Sequence, residues 1–184
     1  MKRIICPVDF SPAANNAVTY AAKLAHDLEA QLELFNVQSL VESTPEEVLM
    51  GNDLTKAAVR DELEQTSKQV ARTFRISCYA DVAESSRSVT EMISMKASEF
   101  DLVVMGANGP ADIYSFLTGS HAYRVMRKAR SPIIMVPEKC LYSKVRRIIY
   151  AYDYLRDRTL PIGDLAVWDT LFDAEITVLQ VMEE

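Results

Sequence analysis

The sequence has no apolar run approaching the roughly 20 residues that a membrane-spanning helix needs, so no membrane partner is expected. Its start, Met1-Lys2-Arg3-Ile4-Ile5-Cys6-Pro7-Val8-Asp9, carries two basic residues but no long apolar stretch. Pro7 and Asp9 interrupt it, so it does not read as a secretory signal. Three cysteines, Cys6, Cys78 and Cys140, are widely spaced, odd in number and in no metal-like pattern. They fit reduced residues of a cytoplasmic protein rather than a disulfide framework. Basic residues are outnumbered 20 to 26 and form no stripe, which argues against nucleic acid as a partner. No Gly-Lys-Ser/Thr follows P-loop spacing, no carboxylate cluster resembles a two-metal site, and no Ser–His–acid set is legible.

What remains is an ordinary globular composition, 49% hydrophobic and 25% charged over 184 residues, enough for one domain or one and a fraction. Short apolar runs alternate with helical patterns. Strands are expected at Arg3–Val8, Leu32–Val37, Arg75–Ala80, Asp101–Met105 and Ile133–Val136. Between the first two, Ser11-Pro12 gives a cap followed by proline at the first helical position. Ala14, Ala17, Val18, Ala21, Leu24, Ala25 and Leu28 then recur at helical spacing. Thr44-Pro45-Glu46-Glu47 has the form of a capping box, and a long helix is expected from about Asp53 to Thr73, with Glu64 and Lys68 paired on its solvated face. Ser88-Val-Thr-Glu91 starts another helix, and Ala122, Val125, Met126 and Ala129 mark one more, stopped by Ser131-Pro132. Strands separated by helices imply crossover connections, parallel pairing and an α/β fold.

The feature that points toward function is the loop after the fourth strand. Leu102-Val-Val-Met105 ends at Gly106, and Gly109, Gly119 and Ser120 follow before the next helix. Glycines let a backbone approach an anion closely, and the free N–H groups of a helix's first turn point at it. In open parallel sheets, ligands sit beyond the carboxyl ends of the strands, where the winding reverses. If the first and fourth strands are neighbours, Pro7 to Asp9, Val37 and the Gly106 loop converge on one crevice.

The tail repeats the start. Arg3-Ile-Ile-Cys-Pro-Val-Asp9 aligns with Arg147-Ile-Ile-Tyr-Ala-Tyr-Asp153, and Leu32–Val37 with Ile176–Val181, at one constant offset. This divides the chain into a domain over 1–138, a linker over 139–145 and an incomplete second copy over 146–184 that lacks the glycine loop.

With these motifs the chain resembles the universal stress protein family. The specific marks are Pro7-Val8-Asp9-Phe10-Ser11, Asp101-Leu-Val-Val-Met-Gly106, the Gly106-x2-Gly109-x9-Gly119-Ser120 spacing of the family's ATP-binding branch, and Ser131-Pro132-Ile-Ile-Met-Val136. The resemblance implies an open five-stranded parallel sheet in the order 3-2-1-4-5 with helices on both faces. It implies pairing as a homodimer or between tandem domains through Ile133–Val136. It also implies ATP, with or without Mg2+, as ligand. Asp9 would contact the ribose; Pro7 and Val37 would wall the adenine, with Val37 offering backbone groups to the base. Met105 and Gly106 would lie against the nucleotide, and Gly109, Gly119, Ser120 and the His121 backbone would hold the phosphates. Asn108 departs from the family's frequent Arg, and Ala151 stands in the second copy where the first has Pro7.

Plainer roles stand beside these. Asp9 could serve only the local turn and Ser120 only as a cap. His26 reads as a surface residue. Ile113, Tyr114, Phe116 and Leu117 read as loop packing or a lid, and Trp168 as an interface or core residue. The function expected is a nucleotide-binding stress-response module. A partner-docking protein with an empty pocket and a slow ATPase are the alternatives.

Overall fold

The computed structural model describes residues 2–39, 52–107, 125, 128, 129, 131–152 and 162–180. They form two compact units, Met1–Tyr142 and Ser143–Glu184.

In the first unit, five parallel strands carry the fold: β1 (Arg3–Pro7), β2 (Gln31–Ser39), β3 (Cys78–Ser85), β4 (Leu102–Ala107) and β5 (Ile133–Pro137). Their order is β3-β2-β1-β4-β5. The helices α1 (Pro12–Asp27), α2 (Asn52–Phe74) and α3 (Val89–Ala97) link them, and Val125 and Lys128 are also helical. Helices lie on both sides of the sheet, as right-handed crossovers require when strand order reverses.

Alternation along the strands divides the core between the two faces. Ile5, Phe35, Val103 and Met105 pack with Ile93 and Ala97 of α3, Phe100 and Val125. Ile4, Cys6, Leu32, Leu34, Leu102 and Val104 point the other way and are equally buried. That second face meets α1, whose buried stripe is mostly alanine (Ala13, Ala14, Ala17, Ala21, Ala22 and Ala25), so the helix axis can approach the sheet closely. Each fully buried Leu, Ile or Val contributes about 1.5–3 kcal/mol.

Helix starts follow the expected capping chemistry. Ser11 accepts from Ala14 N–H at 3.2 Å and Ser88 from Glu91 N–H at 3.3 Å. Helix ends are less orthodox. Glu29 and Arg75, each just beyond a helix, adopt left-handed φ values of 51° and 55°, where glycine is usual. This corrects the third strand. Arg75 closes α2 instead of opening a strand, and β3 begins at Cys78 and runs to Ser85, in register with β2 from Leu32↔Cys78 to Ser39↔Ser85.

Near the last turn of α3, Lys96 lies 3.0 Å from Asp81 Oδ2 and 3.2 Å from Glu33 Oε1, the second contact an ion pair rather than an aligned hydrogen bond. Burial alone would lower its pKa. The hydrogen bond to Asp81 and the charges of both carboxylates outweigh that and raise it. The expected Glu64–Lys68 pair forms at 3.2 Å on the exposed side of α2, and His26 is exposed, 3.4 Å from Asp27.

After β5 the chain runs along α1. Asn16 Nδ2 donates to the carbonyls of Pro137 and Cys140, both at 2.9 Å, and Tyr142 donates to the Asp27 carboxylate while meeting Tyr20 edge-on. The first unit therefore extends through Tyr142.

In the second unit, β6 (Arg147–Tyr152), α4 (Ile162–Phe172) and β7 (Glu175–Gln180) form a parallel two-stranded sheet with its crossover helix. Its register repeats that of the first unit. Arg3↔Gln31 through Pro7↔Phe35 become Arg147↔Glu175 through Ala151↔Leu179, each residue shifted by 144. The details repeat too. Gln31 N–H donates to Lys2 O at 2.9 Å, and Glu175 N–H to Arg146 O at 3.0 Å. Glu29 at φ 51° has its counterpart in Asp173 at 49°. Trp168 is half-buried and stacks on Phe172, with ring centroids 5.8 Å apart.

Candidate functional site

The order β2-β1-β4 makes the β1–β4 boundary the point where the winding reverses, and the ladder there is short. β1 pairs with β4 only at Ile4↔Leu102 and Ile5↔Val103, whereas β4 stays paired with β5 as far as Ala107↔Pro137. Proline supplies a reason. Alternate residues of a parallel strand turn their backbone groups to the same neighbour. The bonds from Asp101 N–H to Arg3 O and from Val8 N–H to Phe35 O direct odd residues of β1 toward β4 and even ones toward β2. Pro7 therefore faces β4 without a donor to give. β1 leaves the sheet early, at the boundary where open parallel sheets have their ligand crevice.

Pro7, Val37 and Met105 project from the same face of the sheet near this crevice. Pro7 is level with Phe35, and the β1–β4 register carried on by two residues sets it level with Met105. Pro7 and Met105 are buried, and Val37 is half-buried against the α3-side core. The three form an apolar wall.

Asp9 stands at the rim, exposed. Its Oδ1 accepts from Ser11 N–H at 3.0 Å, so the local-turn role exists; the other oxygen has no partner among the described residues. Between them Phe10 takes φ 60°. α1 begins directly after this turn, and its first-turn N–H groups lack helical partners.

Gly106 lies on the opposite side of the strand. A Cβ there would sit 2.6 Å from the Ala13 carbonyl carbon and 2.8 Å from Ala14 N, backbone atoms of the first turn of α1. Glycine at this position is required by the helix. Gly109, Gly119, Ser120 and His121 lie outside the described residues, as do Asn108, Ile113, Tyr114, Phe116, Leu117 and Asp153.

One residue of the site escaped the sequence reading. Asn36 Nδ2 donates to Val8 O at 2.7 Å, across the fork where β1 departs from β2. Its only advance signal is a polar residue within Leu32-Glu-Leu-Phe-Asn-Val37 just before the strand end.

The cysteines add no chemistry to the site. All three are free. Burial, reinforced by Cys78, pushes the Cys6 thiol far up, and burial pushes Cys78 up to about 12; neither is a thiolate at neutral pH. Among the described residues no group of three His, Cys, Asp or Glu is arranged to hold a metal, and no helix is long and apolar enough to cross a membrane.

Comparison with known proteins places this geometry among relatives. A model of the universal stress protein family matches residues 1–137. Universal stress protein MJ0531 of Methanocaldococcus jannaschii is 25% identical over 143 residues, spanning 73% of this chain and 81% of that protein. Among solved structures, the universal stress protein UspA of Lactobacillus plantarum superposes with a TM-score of 0.59 at 25% identity, over 73% of this chain and 97% of its own. The universal stress protein of Archaeoglobus fulgidus in complex with dAMP does so with a TM-score of 0.53 at 17% identity, over 74% and 97%.

Proposed function

The chain belongs to the universal stress protein family through residues 1–137, and from that premise we propose that its first unit is an adenine-nucleotide-binding stress-response module. The observation that carries the reading is the grouping of residues at the reversal of winding: an apolar wall of Pro7, Val37 and Met105 with the exposed carboxylate of Asp9 just beyond the end of β1. An apolar wall suits a base, and a carboxylate suits ribose hydroxyls. The relative from Archaeoglobus fulgidus, of the same fold, holds dAMP.

In this reading the ligand is ATP, with or without Mg2+. Gly106 and the segment through Gly109, Gly119, Ser120 and His121 offer the phosphates backbone amides at a helix start. The role is regulatory: nucleotide favours one conformation or assembly. Assembly is through the outer edge of β5, Ile133–Val136, as a homodimer. Three free thiols suit a reducing, cytoplasmic setting. The second unit is a second copy of the β-α-β start of the same repeat, as the shared register supports.

Equilibrium titration with a fluorescent ATP analogue tests the binding reading. The parent should saturate, and Gly109→Val and Gly119→Val should each weaken binding at least about tenfold, because a branched side chain blocks close backbone approach. Equal affinity in all three removes the loop from the site.

A further inference from the structure

The β1–β2 ladder breaks at an unusual place. Val8 N–H reaches Phe35 O at 2.8 Å. The next bond of a parallel ladder would run from Val37 N–H back to Val8 O, since Val37 turns its backbone groups to the same side as Phe35. That bond is not made, and the pairing stops at Pro7↔Phe35. No bulge in β2 explains the stop, because β2 keeps an unbroken register with β3 to Ser39↔Ser85. Val8 O is instead taken by the Asn36 side-chain amide at 2.7 Å. Among the described residues the Val37 N–H has no partner.

We propose that Asn36 is a positioning residue: it satisfies the Val8 carbonyl from the side, holds the β1–β2 fork open, and so leaves the Val37 N–H and C=O free to hydrogen-bond a ligand in the crevice. A carbonyl of a buried residue such as Val8 carries a desolvation cost when it has no donor. An open fork would normally incur that cost at Val8 and close to avoid it, and Asn36 removes the incentive. An adjacent donor and acceptor on one strand edge match the edge of an adenine, where a ring nitrogen accepts and an exocyclic amine donates. The identity of the ligand rests on the function proposed above; the open fork does not.

The second unit supplies an internal control. Its equivalents of Val8 and Asn36, at the same offset, are Tyr152 and Gln180, and Ala151 replaces Pro7. There the ladder runs one pair further, to Tyr152↔Gln180. The same β-α-β frame therefore closes where the short amide and the proline are missing.

The experiment is amide hydrogen exchange of the full chain without nucleotide, paired with titration of the same samples with the fluorescent ATP analogue. In the parent, Val37 should exchange with little protection while Leu32 and Leu34 are well protected. In Asn36→Leu, Val37 should gain at least about tenfold protection as its N–H closes onto Val8 O, and analogue affinity should fall by a similar factor. If Asn36→Leu does not fold, Asn36→Ser, too short to reach Val8 O, gives the same readout. Protection at Val37 already present in the parent, or unchanged in both variants, overturns the fork. Altered protection with no analogue binding by the parent upholds the fork and overturns only the nucleotide reading.

Discussion

A Cβ on Gly106 would lie within 2.8 Å of three backbone atoms of Ala13 and Ala14. Backbone cannot rotate aside as a flexible side chain does, so α1 itself must move. Gly106→Ala should lower stability by about 1–3 kcal/mol, read in a urea titration as a lower midpoint with an unchanged slope; an unchanged midpoint would show that α1 yields freely. Residues whose roles come from local chemistry were legible in the sequence. Ser11 and Ser88 cap helices because Ser-x-x places a side-chain oxygen over a free N–H. The plainer role of Asp9 was legible in the same way: its carboxylate accepts from Ser11 N–H in the turn after β1. Asn36 was not legible, because its partner is a carbonyl 28 residues away that only the register brings near. Gly106 was legible as a glycine, but the reason for it, a helix start from another part of the chain, was not.

At the scale of elements, strand and helix order followed from apolar runs and periodicity, whereas boundaries failed where the punctuation was unusual. Glu29, Arg75 and Asp173 each hold a left-handed φ after a helix without being glycine. Arg75 therefore looked like the start of a strand, and β3 was placed too early. Edge strands carry their own consequence. β5 ends the sheet order, and its outer edge has no strand partner among the described residues. Ile133, Ile134 and Met135 remain only half-buried there, and an unpaired apolar edge invites pairing with another chain. The parent should therefore scatter light as a dimer and Ile134→Glu as a monomer. A monomeric parent, or a variant that remains dimeric, would move the contact elsewhere.

At the scale of the whole chain, one β-α-β plan is used twice. The pairing offset of 144 recurs residue by residue through the two strand pairs and again in the residue after the helix. The first copy continues into three further strands and gains a boundary where winding reverses; the second, among its described residues, has two strands and leaves Ile149 69% exposed where its counterpart Ile5 is fully buried. Only the first copy has Pro7 and Asn36 to peel β1 from both neighbours, and that separation makes the crevice. An ATP titration of the isotope-labelled full chain, followed through its assigned backbone amides, tests this account most directly. Saturable shifts should appear at Val8, Asp9, Val37 and Met105, with Cys78 and Ile93 unmoved. The absence of any saturable shift, or shifts confined to residues away from the ends of β1, β2 and β4, would contradict it.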